Sequence, residues 1–237
     1  MTPETIAITI LAAYAAIGLG AIAWNIMRSG VSWQAWALYV TERIYVPLMF
    51  RWHGDRRCPL PADGPALIIA NHRSPVDPLI LWMNHHLIDE RRRIRLMRFL
   101  MAEEYRNVPG VRWITRHMET IPVKRDGSDL SSAREALRLL KSGERVGVFP
   151  EGRINTQGRR LLEADTGIAW LALRSETPVY PAFIDGSPQG KAMVACFWTL
   201  SRVRVTYGEA INLSEYYGRR KTQDLLREVT ERIMQRL

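Results

Sequence analysis

The chain has 237 residues, 47% hydrophobic and 24% charged, enough apolar material for one large domain or two small ones and the wrong balance for a disordered chain. Its 13 Pro and 16 Gly exclude collagen-like and linker-like classes. Two cysteines, Cys58 and Cys196, cannot alone build a disulfide framework or a thiolate zinc site, and buried thiols in a reducing compartment are their simplest reading. Lys and Arg outnumber Asp and Glu by 33 to 24, a formal net charge of +9, which favours anionic partners such as lipid headgroups, nucleic acid or phosphorylated metabolites without choosing among them.

Thr5 to Met27 contains no charged residue, and a spanning helix needs about 20 predominantly apolar positions. Ala12, Ala16 and Gly20 repeat at four-residue spacing, a small-residue ladder suited to helix packing. Glu4 precedes the run and Arg28, Arg43, Arg51, Arg56 and Arg57 follow it, so the positive-inside rule puts the carboxy-terminal bulk on the cytoplasmic side. Membrane anchoring is the favoured reading. A cleaved signal peptide competes through Ala21-Ile22-Ala23, although the opening Met-Thr-Pro-Glu-Thr lacks a basic start; a buried helix of a soluble protein is the other alternative. Val31 to Trp52 carries Trp33, Trp36, Tyr39, Tyr45, Phe50 and Trp52 among Gln34, Glu42 and Arg43. That mixture suits the headgroup zone and equally an aromatic helix packed on a core.

Pro59 to Pro65 is a turn-rich break that divides the chain into an N-terminal helical anchor, residues 1–58, and an α/β domain, residues 59–237. Ala66 to Ala70 reads as a buried strand and Asp77 to Leu87 as a helix with Leu79, Ile80, Met83 and Leu87 on one face. Arg91 to Met101 is a basic stretch with apolar residues, either a contact for membrane or nucleic acid or a solvated edge beside a strand. Glu119 to Lys124 resembles a strand, and Asp126-Gly127 ends it. Ser128 to Ser142 reads as a helix capped by Ser128 or Asp129, with a stripe of Leu130, Ala133, Leu137 and Leu140 and Gly143 beyond its last turn. Arg145 to Phe149, Val179 to Ile184 and Val203 to Tyr207 read as strands, Thr166 to Ser175 and Thr222 to Leu237 as helices. The alternation predicts an α/β fold, a sheet covered by helices on both faces, with ligands gathering where strands end in loops.

Two polar clusters each follow a strand directly: Asn71 to Asp77, and Glu151 to Arg153. A histidine near neutral pKa is suited to taking a proton from a hydroxyl, and a carboxylate on its far nitrogen fixes the tautomer and stabilises the imidazolium. His72 and Asp77, five apart across a strand-to-helix turn, have the spacing for this; a histidine and a carboxylate that merely cap the next helix have it too. Gly152 between Glu151 and Arg153 lets backbone come close to a ligand, and Arg153 and Arg125 are each able to grip a phosphate bidentately. The chain has no Gly-x-Ser-x-Gly elbow, no Walker loop, no Gly-x-Gly-x-x-Gly fingerprint and no metal-ligand spacing.

Asn71-His72-x4-Asp77, Ile121-Pro122-Val123-Lys124-Arg125, Phe149-Pro150-Glu151-Gly152-Arg153 and Val179-Tyr180-Pro181 occur in the order of the four motifs of glycerolipid acyltransferases. Over roughly residues 60 to 190 the chain resembles the 1-acylglycerol-3-phosphate (lysophosphatidic acid) acyltransferases. The resemblance implies transfer of an acyl group from an acyl thioester, acyl-coenzyme A or acyl carrier protein, to a lysophospholipid hydroxyl, with a mixed α/β sheet and a helical membrane-binding start. It implies His72 as general base, Asp77 as its orienting partner, and Arg125, Glu151, Gly152 and Arg153 as acceptor-binding residues. It implies no metal, no covalent acyl-enzyme and no cofactor beyond the co-substrate; the sequence offers no nucleic-acid-binding motif, so no nucleic-acid partner is expected, and the positive-inside rule puts the catalytic domain on the cytoplasmic face of the membrane. Two positions depart from the pattern: Glu119 stands where members commonly have Gly, and Ala164-Asp165-Thr166-Gly167 where they often have Phe-Lys-x-Gly. An acidic Asp165 in place of a lysine weakens attraction for a phosphomonoester, which keeps open a lysolipid with another headgroup or an amino-acid lipid; a thioesterase of similar fold is a further alternative.

Overall fold

The computed structural model describes residues 2–54, 59–61, 63–88, 93–124, 130–189 and 193–237. It opens with α1, Pro3–Ser29, started by the Thr2 hydroxyl, which accepts from the Thr5 N–H, and stopped by Gly30 at φ 73. A core helix would bury its apolar side chains. Here Ile8, Leu11, Tyr14, Ile17 and Leu19 are all exposed, so α1 is not the buried helix of a soluble fold, and it is long and apolar enough to cross a bilayer.

Next comes α2, Trp33–Phe50, which buries Ala35, Glu42, Val46 and Phe50. The aromatic segment is thus two-faced, one side in the core and the other open to the surroundings. Although α2 belongs to the anchor segment expected from sequence, its inner face shares a core with strand residues of the α/β domain. The remaining elements are β1 (His53–Gly54), β2 (Ala66–Ala70), α3 (Asp77–Ile88), β3 (Met97–Ala102), α4 (Val111–His117), β4 (Ile121–Val123), α5 (Leu130–Lys141), β5 (Arg145–Val148), α6 (Gly167–Ser175), β6 (Val179–Asp185), α7 (Met193–Phe197), β7 (Arg204–Tyr207) and α8 (Gln223–Met234).

Among the described residues the strands form one sheet in the order β1-β7-β6-β2-β5-β3-β4. All pairs are parallel except β6 with β7, which makes the sheet mixed. The five residues of β2 are buried throughout, as a strand covered on both faces must be. Because side chains alternate across a strand, Ala66, Ile68 and Ala70 meet α2 and α3 on one face, while Leu67 and Ile69 meet α5, α6 and α8 on the other.

Three details depart from the sequence reading. The buried face of α5 is Ser132, Ala136, Leu139 and Leu140, whereas Leu130 is exposed; the helix is rotated so that its small residues approach its neighbours and Leu137 packs at the margin. Its expected caps, Ser128 and Asp129, lie outside the described residues, as does Asp126-Gly127. The short helices α4 and α7 carried no clear periodicity. In the basic stretch, Arg98 bridges Glu119 at 2.6 Å and Glu144 at 2.7 Å, and Arg95 donates to the Gly143 carbonyl at 3.2 Å. These two cations are engaged within the fold rather than offered to an anionic partner. Glu119 itself has φ 51, the left-handed region that glycine enters at least cost.

Glu42 on α2 is buried, and that burial pushes its carboxyl well above the usual carboxylate range, with the Met83 backbone on α3 offsetting only part of the shift. The folded state therefore holds a proton that the unfolded chain releases above about pH 4.5, and stability falls as pH rises from there through the folded value. Glu42→Gln, neutral at every pH, is expected to gain stability over the parent as pH rises from 5 to 8, read from urea midpoints in detergent; parallel pH profiles for the two proteins would contradict it.

Candidate active site

Parallel pairing sets Ile69 of β2 beside Val148 of β5 and Pro181 of β6, so the loops after these strands emerge at one edge of the sheet. Asn71 continues the ladder with its side chain: its Nδ2 donates to the Ile184 carbonyl at 2.8 Å, and its Oδ1 accepts from the Ile184 N–H at 2.7 Å. The amide thus replaces a peptide group where the strand stops and fixes the direction in which the chain leaves it.

His72 comes next. Its Nδ1 lies 3.0 Å from Asp77 Oδ2, and that same oxygen accepts from the backbone N–H groups of Arg73 and Ser74, each at 2.7 Å. Asp77 is fully buried, while the imidazole keeps 16% of its side-chain surface. A carboxylate this deeply buried needs hydrogen-bond partners to offset the water it has lost. Three donors converge on this one oxygen once Nδ1 carries the proton, and that tautomer leaves Nε2 as the basic nitrogen.

The loop after β5 closes over the histidine. Phe149 stacks on the imidazole with centroids 4.1 Å apart at 16°, and Phe99 of β3 stacks behind Phe149 at 5.7 Å and 12°. Gly147 makes room for this stack, since a Cβ there would lie 2.3 Å from the Phe99 ring. Glu151, also buried, spends its carboxylate on the chain: Oε1 accepts from the His72 N–H and Oε2 from the Leu162 N–H, both at 2.8 Å. The Asn155 N–H donates in turn to the His72 carbonyl at 2.7 Å. Both peptide groups of the histidine are therefore held by the other loop.

Of the residues singled out from sequence, the structure brings His72, Asp77, Glu151, Gly152 and Arg153 to this edge; Arg125 lies outside the described residues. Gly152 has φ 63 and, like Arg153, is exposed. Asp165 has a local task, its Oδ1 accepting from the Gly167 N–H at 2.6 Å where α6 begins. Sequence reasoning passed over Asn155, Arg159, Arg160, Phe99 and the stacking role of Phe149. The run Arg159-Arg160 was visible as charge, but its place came from the tertiary fold: Arg73 donates to the Arg159 carbonyl at 3.3 Å, and Arg160 lies over the Phe183 ring at 5.7 Å. Arg73, Arg153, Arg159 and Arg160 thus give the two joined loops a positive field, suited to an anionic ligand.

Known proteins resemble this chain in family and in fold. The family described as Acyltransferase matches residues 51–185. An uncharacterized protein of Mycobacterium tuberculosis is 32% identical over 152 residues, 61% of this chain and 40% of its own length, so the chain spans well under half of that relative. A 1-acyl-sn-glycerol-3-phosphate acyltransferase of Bacillus subtilis is 25% identical over 75% of this chain and 82% of its own length. The crystal structure of a 1-acyl-sn-glycerophosphate acyltransferase from Thermotoga maritima shares the fold, with a TM-score of 0.63 at 20% identity over 90% of this chain and 85% of that one.

The grip of Glu151 on two amides has a direct test. Glu151→Gln turns one acceptor into a donor that faces a backbone N–H, at an expected cost of about 1–3 kcal/mol. A urea midpoint that does not move would mean the carboxylate does not hold the loops.

Proposed function

The chain belongs to the acyltransferase family, and on that premise we propose that it transfers a fatty acyl group from acyl-coenzyme A or acyl carrier protein to the free hydroxyl of a lysophospholipid. The acceptor that fits best is 1-acylglycerol-3-phosphate, and the product is then phosphatidic acid. The observation that carries this reading is the 3.0 Å contact between His72 Nδ1 and a fully buried Asp77, which leaves the opposite ring nitrogen basic.

In the proposed reaction, His72 Nε2 takes the proton from the acceptor hydroxyl as its oxygen attacks the thioester carbonyl. Asp77 stabilises the imidazolium through Nδ1 and prevents ring rotation. Collapse of the tetrahedral intermediate breaks the C–S bond, and the imidazolium proton passes to the departing thiolate. The ester has formed, a free thiol has left, and His72 is neutral again. Protein side chains and the two substrates are sufficient for every step, with no acyl-enzyme. Gly152, Arg153, Arg73, Arg159 and Arg160 favour an acceptor with an anionic headgroup, and Arg125 joins them by resemblance. Glu151 acts through the backbone of His72. In this reading α1 anchors the protein in the cell membrane, with the α/β domain on its cytoplasmic face.

Asp165 favours a second reading of the acceptor, because an acidic residue on the loop before α6 disfavours a phosphomonoester; another lysolipid then takes its place. Thiol release from acyl-coenzyme A or acyl carrier protein, with and without each lysolipid, tests both. Acceptor-dependent release and a diacyl product support transfer, while release of free fatty acid without acceptor identifies a thioesterase. His72→Ala and Asp77→Asn are each expected to lower turnover by about 10²–10⁴-fold, His72→Ala with its unfolding midpoint retained and Asp77→Asn with a loss of about 1–3 kcal/mol, and near-parental rates in His72→Ala would end the general-base assignment. Asp165→Lys is expected to shift preference toward lysophosphatidic acid; an unchanged acceptor ranking would mean that Asp165 does not set selectivity.

A further inference from the structure

The outward side of α2 does not end with the helix. Tyr45 donates its hydroxyl to the Phe197 carbonyl, the Ser201 N–H donates to the Met49 carbonyl at 3.1 Å, and the Val203 N–H to the Phe50 carbonyl at 2.9 Å. These bonds seat α7 and the chain after it against the last turn of α2. Cys196 is buried and Phe197 packs on the core, so α7 has a fixed inner side. Val194 on α7 is exposed, as are Trp198, just past the end of the helix, and Leu200 beyond it. On α2, Ile44 precedes Tyr45 and Leu48 precedes Met49, two of the residues bonded to this segment, and the five side chains are between 60% and 74% exposed.

A soluble surface rarely gathers this many large apolar groups in one place. Around them lie exposed Arg43, Arg51, Arg202 and Arg204, cations suited to anionic headgroups, while a solvent-facing Trp is favoured at a membrane–water boundary. The patch also has a defined place in the fold. Asp185 at the end of β6 pairs with Arg204 at the start of β7, so the excursion carrying α7 leaves and rejoins the sheet at the edge where β2 delivers His72.

We infer that Ile44, Leu48, Val194, Trp198 and Leu200 form a second membrane contact, separate from α1, which seats the catalytic edge of the sheet on a bilayer bearing anionic lipid. The helix α1 supplies tethering; the patch supplies orientation, bringing the sheet edge that carries His72 to the level of the headgroups. This rests on the membrane reading of α1 given above.

The test uses the full chain in phosphatidylcholine vesicles containing phosphatidylglycerol. Single cysteines placed by Leu200→Cys, Ala16→Cys and Glu228→Cys, in a Cys58→Ser background with the buried Cys196 left in place, carry an environment-sensitive fluorophore. Quenching by lipids with a nitroxide on the acyl chain is then compared. Labels at 200 and 16 are expected to be quenched at least threefold more than the label on α8 at 228. Quenching at 16 with position 200 no different from 228 would overturn the inference and leave the anchor standing. Quenching at 200 without 16 would support the patch and remove the anchor, and no quenching at any position would remove both.

Discussion

The placement of every side chain in the site follows from one arrangement, the parallel pairing of β2 between β5 and β6. Parallel strands end at the same edge, so three chain segments far apart in sequence deliver their loops side by side. A slip of one residue in β2 would turn Ala66, Ile68 and Ala70 toward the wrong core and carry His72 to the opposite face. That register is fixed twice, by the different sizes of the residues on the two faces of β2 and by the Asn71 side chain bonded to Ile184. The geometry of the site and the packing of the core are therefore the same constraint in this molecule.

Within that frame, much of the site was legible from local sequence and some was not. The run Ala66 to Ala70 announced a strand because all five residues are apolar, and the His72–Asp77 spacing announced a contact because a strand-to-helix turn has few ways to close. Glu151 was visible as part of a motif, but its partners are the amides of His72 and Leu162, one of them 79 residues away in the chain; no local pattern encodes such a pair. The stripe read on α5 included Leu130, which the fold leaves exposed, because Ala and Ser suit a close approach between helices better than a leucine at the end does. The helix α4 escaped notice because only Val111, Trp113 and Ile114 interrupt its polar and basic residues. Strand order too was beyond reach, since it depends on which crossovers the helices take.

The segment Val31 to Trp52 shows why composition alone left its question open. A helix with one face in a core and the other open, rich in aromatic and aliphatic residues all round, reads alike as a core helix and as an interfacial one. Such a pattern satisfies the criteria for either environment. Only the position of Ala35, Val46 and Phe50 against the sheet tells the two faces apart. The buried Glu42 on the inner side disturbs the pattern and belongs to neither environment by preference.

The clamp that Glu151 places on His72 has a consequence for recombination. The loop bearing the histidine and the loop bearing the glutamate are separate in the gene but inseparable as parts, because each lends the other its hydrogen-bonding groups. A chimera that exchanges residues 71–77 with a distant homologue while keeping residues 147–162 inherits a histidine without its own backbone partners and with a foreign aromatic neighbour. The natural unit of exchange is the pair of loops together with the small residue, Gly147, that admits the stacked rings. Shuffling boundaries chosen at the single-motif level would cut through the middle of one component.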